Sequence, residues 1–213
     1  MLMLQVQTPV RELVRERPWL QRVLIAYNIE PASDEPLARM CRARQVNLDE
    51  ISLHLQQIWD GPEGLRRLNP AQLLDYIVHC HHRYLRKVLP QLLAQARALA
   101  QQDEHYQAVC IELAEFSQEA NPHMFREEME VFPAIREGAT QRAPHLTRWI
   151  SRLEQEHGQA LQHFLALRRA QAECQQRPEA MQLLAGLTEL DEDMRWHMYA
   201  ENDLLFPRFR LSA

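Results

Sequence analysis

Apolar residues recur at three- and four-residue intervals along most of this 213-residue chain, and alternating apolar–polar runs are missing. The first pattern lays a stripe along one side of an α-helix, whereas the second would mark a strand. The expectation is therefore an all-α protein. Val10, Leu13 and Val14 predict a short helix opened by Thr8-Pro9, an N-cap with proline in the first turn. Pro18 opens a second segment carrying Trp19, Leu20, Val23, Leu24 and Tyr27, with Trp19 as its anchor. Residues 28–36, NIEPASDEP, read as a loop. Asn47 and Glu50 resemble a capping box ahead of Ile51, Leu53, Leu55 and Ile58. Residues 1–62 thus predict a small helical N-terminal domain, and residues 63–69, between Gly61-Pro62 and Pro70, a linker. Four long helical stretches follow, roughly 70–101, 104–137, 144–174 and 177–209, each about 45 Å long at 1.5 Å per residue. Kinks are expected at Pro90 and at Asn121-Pro122. Short connections force neighbouring helices antiparallel, so residues 70–213 predict an up-down-up-down four-helix bundle.

Composition narrows the function. Only 5 residues are Gly, and the strong helix formers dominate. The formal net charge is −5 with both signs interspersed, which leaves no basic face for nucleic acid. Cys41, Cys80, Cys110 and Cys174 form no C-x-x-C pair, so neither a structural zinc site nor a disulfide framework is expected. The start, MLMLQVQTPVRE, lacks the charge and apolar run of a signal peptide, and no 18-residue apolar stretch exists. These features predict a soluble cytoplasmic protein that engages neither membrane nor nucleic acid.

One phrase is written twice. Residues 123–133 read HMFREEMEVFP and residues 197–207 read HMYAENDLLFP. In each copy a His and a Glu stand four apart, on one face of a helix, where an imidazole and a carboxylate can clamp one cation. A further His precedes each copy at a matching distance: His82 lies 41 residues before His123, and His157 lies 40 before His197. A single His-x-x-x-Glu is usually an exposed pair, but its recurrence with the same apolar flanks points to a shared interior site. Four imidazoles and two carboxylates exceed what one tetrahedral zinc takes, can bridge two ions, and suit iron. The first helix holds an ambiguity. Leu74, Ile77, Val78, Leu85 and Leu89 mark its inward stripe, and by period alone either His81 or His82 faces inward. His54, His105 and His145 are expected to be solvated, and His163 lies well round the helix from His157. Tyr76, Phe125, Phe164 and Tyr199 are expected in the core.

The segments LLDYIVHCHHRYLRKVLP, HMFREEMEVFP, LEQEHGQAL and HMYAENDLLFP resemble the hemerythrin-like di-iron proteins of the Repair of Iron Centers family. The resemblance implies two iron ions, oxo-bridged, held by His82, His123, Glu127, His157, His197 and Glu201, with the two glutamates bridging. Aligned on Leu89-Pro90, it selects His82 and leaves His81 as a flanking residue. It also places Glu119 and Glu156 close to the centre. The family's adjacent Cys-Cys pair is replaced here by Glu30-Pro31. The function implied is repair of iron–sulfur clusters damaged by nitrosative or oxidative stress, through iron donation or through NO binding or reduction. The implied partners are NO, O2 and iron–sulfur proteins. Two other classes are a non-enzymatic O2 or NO sensor or carrier, and a metal-free helical interaction module.

Overall fold

The computed structural model of the chain describes residues 6–137, 144–174 and 178–210. The architecture is all-α, and among the described residues the only extended pairing is an isolated bridge between Pro9 and Pro36. The chain packs as two compact units, Met1–Tyr84 and Leu85–Ala213.

In the first unit, α1 (Val10–Glu16) and α2 (Gln21–Ala26) precede the 28–36 loop, followed by α3 (Leu37–Arg44) and α4 (Leu48–Gln57). Thr8 does not cap α1; Pro9 precedes the helix without a side-chain bond. Its entry is fixed instead by backbone bonds from Val10 and Arg11 to the carbonyls of Glu35 and Ser33, both at 3.0 Å. Leu20, Val23, Leu24, Leu37, Ile51, Leu55 and Ile58 form the core, while Leu53 is exposed. Asn47 caps α4 by accepting from the amides of Asp49 and Glu50. The Glu50 carboxylate does not close that box, because it is engaged by the Tyr27 hydroxyl at 2.6 Å. Trp19 anchors the unit through an indole N–H donated to the Ile58 carbonyl at 2.9 Å.

Residues 63–69 are not extended chain. Helix α5 (Pro62–Arg66) occupies most of the segment, with Leu65 and Leu68 buried. A complete capping box, Asn69 with Gln72, then starts α6 (Pro70–Tyr76). The unit boundary falls later, inside the helical stretch, because α2 packs against residues 77–82.

Helix α7 (Arg83–Ala100) leads into the second unit, with α8 (Gln107–Arg126), α9 (Phe132–Arg136), α10 (Pro144–Glu173) and α11 (Pro178–Met198). Three of the four expected long helices depart from plain α-helical bonding. Pro90 and Pro122 lie within α7 and α8. The departures are π-helical turns at Ile77–His82, Glu127–Val131 and Tyr199–Leu205. Such turns replace i→i+4 bonding by i→i+5, admit an extra residue, and concentrate at functional sites.

The buried stripe shows how the site is built. On α8 it runs Val109, Leu113, Phe116, Ala120, His123, and the next step is Glu127. On α11 it runs Leu183, Leu187, Leu190, Met194, His197, and the next step is Glu201. Both follow the same four–three alternation. On α10, Leu146, Ile150 and Leu153 lead to His157, followed by Phe164 and Leu167. Histidine and glutamate thus occupy core layers that the helical period would fill with leucine. Phe125, off the stripe, is 60% exposed, Tyr199 is half-buried, and Tyr76 and Phe164 are in the core.

Candidate metal centre

Five of the six residues expected to hold metal meet inside the second unit. The Nε2 atoms of His123 and His157 face each other at 3.0 Å. His123 Nε2 is 3.2 Å from Glu127 Oε1, and His157 Nε2 is 3.1 Å from Glu201 Oε2. His197 Nε2 is 3.0 Å from Glu201 Oε1. One donor atom each from His123, Glu127, His157 and Glu201 lies within 4.8 Å of the others, and all four residues are buried. His82 and His81 belong to the first unit, both fully buried on the 77–82 turn, with His81 edge-on to the Tyr76 ring at 5.0 Å.

The outer nitrogens decide what the inner ones can do. His123 Nδ1 lies 2.8 Å from Glu156 Oε2, and His157 Nδ1 lies 2.8 Å from Asn202 Oδ1. Both partners are acceptors, so each Nδ1 carries the hydrogen and each Nε2 turns a lone pair inward. Two lone pairs 3.0 Å apart, flanked by two fully buried carboxylates, repel unless positive charge lies among them. Buried carboxylates require a paired charge or a metal. With protons alone, burial works against a charge on His123, yet Glu127 and Glu156 drive it up to about 10. Burial likewise opposes ionisation of Glu201, but His197 and His157 hold it well below the usual carboxylate range. The pocket calls for a cation, and imidazole with carboxylate in place of thiolate fits iron.

Glu156 reaches beyond His123. Arg126 donates to its Oε2 at 2.6 Å and Arg152 to its Oε1 at 3.1 Å. Burial would raise its pKa, but the bonds from His123, Arg126 and Arg152 pull it down to about 2. Glu119 is 55% exposed and faces His163 Nε2 at 3.4 Å, while His163 Nδ1 meets Glu112 at 3.0 Å. Glu119 and Glu156 both line a cavity of about 300 Å³ with Leu85, Phe116, Met124 and Met194, into which His123, His157 and His197 open.

Two residues escaped the sequence reading. Arg126 gave no signal. Asn202 could have been found, since it replaces Glu128 in the repeated phrase, directly after the shared glutamate. His54 also differs from expectation. It is 3% exposed, bonded through Nδ1 to the Tyr27 hydroxyl at 2.7 Å and stacked on His79 at 5.4 Å. His105 and His145 are exposed.

A helical bundle with imidazoles and carboxylates in its core layers defines a cation-binding class of protein. The model of the Hemerythrin HHE cation binding domain matches residues 73–209, and the chain belongs to that family. The chain is also similar to the protein named iron-sulfur cluster repair protein YtfE in Salmonella paratyphi B, Salmonella newport and Salmonella heidelberg. Each is 28% identical over 212 residues, covering 94% of this chain and 95% of the relative. That likeness extends through the N-terminal helices and agrees with the Repair of Iron Centers motifs. Among the described residues, no helix is long and apolar enough to cross a membrane.

Proposed function

We propose that this chain is a non-haem di-iron protein that repairs iron–sulfur clusters damaged by nitrosative or oxidative stress. It would act by donating iron, by binding or reducing NO, or by both. The observation that supports it most is the facing pair of imidazole Nε2 atoms, His123 and His157, set between buried Glu127 and Glu201. The names of the Salmonella relatives supply the repair role.

In this reading His82, His123, His157 and His197 would hold the metal through imidazole nitrogens, and Glu127 and Glu201 would serve both ions through their carboxylates. Bound iron would supply exchangeable positions for NO or O2 and a stock of iron for a damaged cluster. The rest falls to the chain's own side chains. Glu156 and Asn202 fix which nitrogen of His123 and His157 points inward. Leu85, Phe116, Met124 and Met194 supply the apolar part of the cavity beside these imidazoles, which Gln118, Glu119, Arg126 and Gln159 also line, and it has room for a diatomic molecule. Glu30-Pro31 favours a second reading, a non-enzymatic O2 or NO sensor or carrier, because a glutamate and a proline cannot supply the soft nucleophilic thiolates of the family's pair.

The test is iron per chain after anaerobic purification, with an optical spectrum and exposure of the reduced protein to NO and to O2. About two irons and reaction with NO are expected. One tightly held zinc would defeat the di-iron reading, and a stable reversible O2 adduct without NO chemistry would select the carrier.

A further inference from the structure

The two copies of the repeated phrase treat the residue after the shared glutamate differently. In the second copy Glu201 and Asn202 are consecutive, yet both reach the same ring. Glu201 Oε2 is 3.1 Å from His157 Nε2, and Asn202 Oδ1 is 2.8 Å from His157 Nδ1. The π-helical turn Tyr199–Leu205 carries both residues, and its wide ladder lets neighbouring side chains grip opposite edges of one imidazole. In the first copy the corresponding residue, Glu128, instead pairs with Arg86 at 2.9 Å. His123 takes its outer partner from α10, the carboxylate of Glu156 at 2.8 Å.

We infer that Asn202 is a positioning residue for His157, and that amide backing of His157 against carboxylate backing of His123 makes the two imidazoles unequal donors. This rests on the di-iron reading above. The oxygen of an amide accepts the Nδ1–H and so commits Nε2 to the interior, but it carries no net charge. A carboxylate in the same role pulls harder on the Nδ1 proton and enriches the ring, which strengthens the opposite nitrogen as a ligand. Arg126 and Arg152 share the Glu156 carboxylate and offset part of its charge, but an anionic oxygen remains a stronger acceptor than an amide oxygen. His123 is therefore the stronger donor and His157 the weaker, and the ion that His157 helps to hold is released more easily than a symmetric centre would allow. The repeat could have written Glu at both positions; Asn202 holds the second copy at a neutral partner.

The experiment uses the full chain as wild type, Asn202→Asp, Asn202→Leu and Glu128→Gln. Two properties are read: the tautomer of His157 by long-range 1H–15N NMR on metal-free protein, and the rate of iron loss to a chelator after anaerobic loading with iron(II). Far-UV circular dichroism confirms folding. Wild-type His157 is expected to carry a hydrogen on Nδ1, whatever Nε2 carries toward Glu201 in the metal-free protein, and Asn202→Leu should lose that bias and release iron tenfold faster or more. Asn202→Asp should keep the tautomer, release iron more slowly than wild type and shift the midpoint potential of the centre downward. Glu128→Gln should match wild type in both readouts. A wild-type His157 whose Nδ1 carries no hydrogen would overturn the inference. So would Asp and Leu variants with the same release rate, since loss of a merely structural contact would not separate them. If wild type takes up no iron, the di-iron reading fails, while the tautomer measurement still decides the role of Asn202.

Discussion

Glu156 offers one oxygen, Oε2, to His123 Nδ1 at 2.8 Å, and Arg126 reaches the same oxygen at 2.6 Å. That carboxylate is thus the rear support of an inward-facing imidazole and is itself held by two arginines. Glu156→Gln keeps the shape and removes the charge, while Glu156→Leu removes both. Metal affinity should fall about tenfold in the first and about a hundredfold in the second, read by chelator competition. Unchanged affinity in both would reduce Glu156 to an ion-pair partner of Arg126 and Arg152.

Glu127→Ala and Glu201→Ala should each lose both irons, since each carboxylate serves both ions in the proposed centre. The fold should survive, because the apolar layers of α8, α10 and α11 do not depend on metal. His82→Ala should lose iron and His81→Ala should keep it, because the His81 ring packs on Tyr76. Metal analysis of the purified variants checks this, and the opposite result for the two histidines would reverse their assignment.

His54 should make stability depend on pH. Burial, then the neighbouring His79, hold its pKa down to about 4, below the ordinary 6.5. Between those values the unfolded chain binds a proton that the folded chain refuses, so stability is complete above about pH 6.5. It declines as pH falls toward 4, by on the order of 2–3 kcal/mol. Urea midpoints at pH 7 and pH 4.5 should therefore differ more for wild type than for His54→Leu.

Glycines at two positions should respond in opposite directions. A Cβ on Gly64 would stand 2.2 Å from the backbone oxygen of Gln57, where nothing flexible can give way. Gly64→Ala should cost about 2–4 kcal/mol. A Cβ on Gly158, inside α10, meets nothing within 4 Å. Gly158→Ala should stabilise by about 1 kcal/mol through helix propensity. Thermal melts of the two variants decide both.

Cys41 is 1% exposed, and burial pushes its thiol pKa up, which keeps it from acting as a thiolate. Cys41→Ser should leave iron content and reaction with NO unchanged. A variant with full iron that no longer reacts with NO would give Cys41 a chemical role.

The candidate centre was legible where its logic is local. His123 with Glu127 and His197 with Glu201 announce themselves by spacing and by repetition, and the helical stripe shows that they replace core layers. What lay hidden depends on contacts distant in sequence. His54 read as solvated because its partner Tyr27 is 27 positions away. Glu156 drew attention through resemblance, but its bonds to His123 and Arg126 cross from α10 to α8, beyond the reach of any period. The π-helical turns were illegible for another reason. An extra residue in one turn barely disturbs a hydropathy pattern, and the helix-interior prolines, Pro90 and Pro122, lie outside these turns.

Those turns carry a consequence for how the sequence can change. Each lodges one residue more than an α-helical ladder would accept, and the wide turn takes up that residue so that the helix keeps its phase beyond it. Removing one residue from Glu127–Val131 or Tyr199–Leu205 would let the helix close into plain α form with Phe132 or Phe206 still facing the core. The wide turn itself, which carries Glu127 in one copy and Glu201 with Asn202 in the other, would be lost. A single deletion there should therefore spare the fold and disturb the candidate centre. Segment length thus shapes the proposed centre independently of which side chains stand in it.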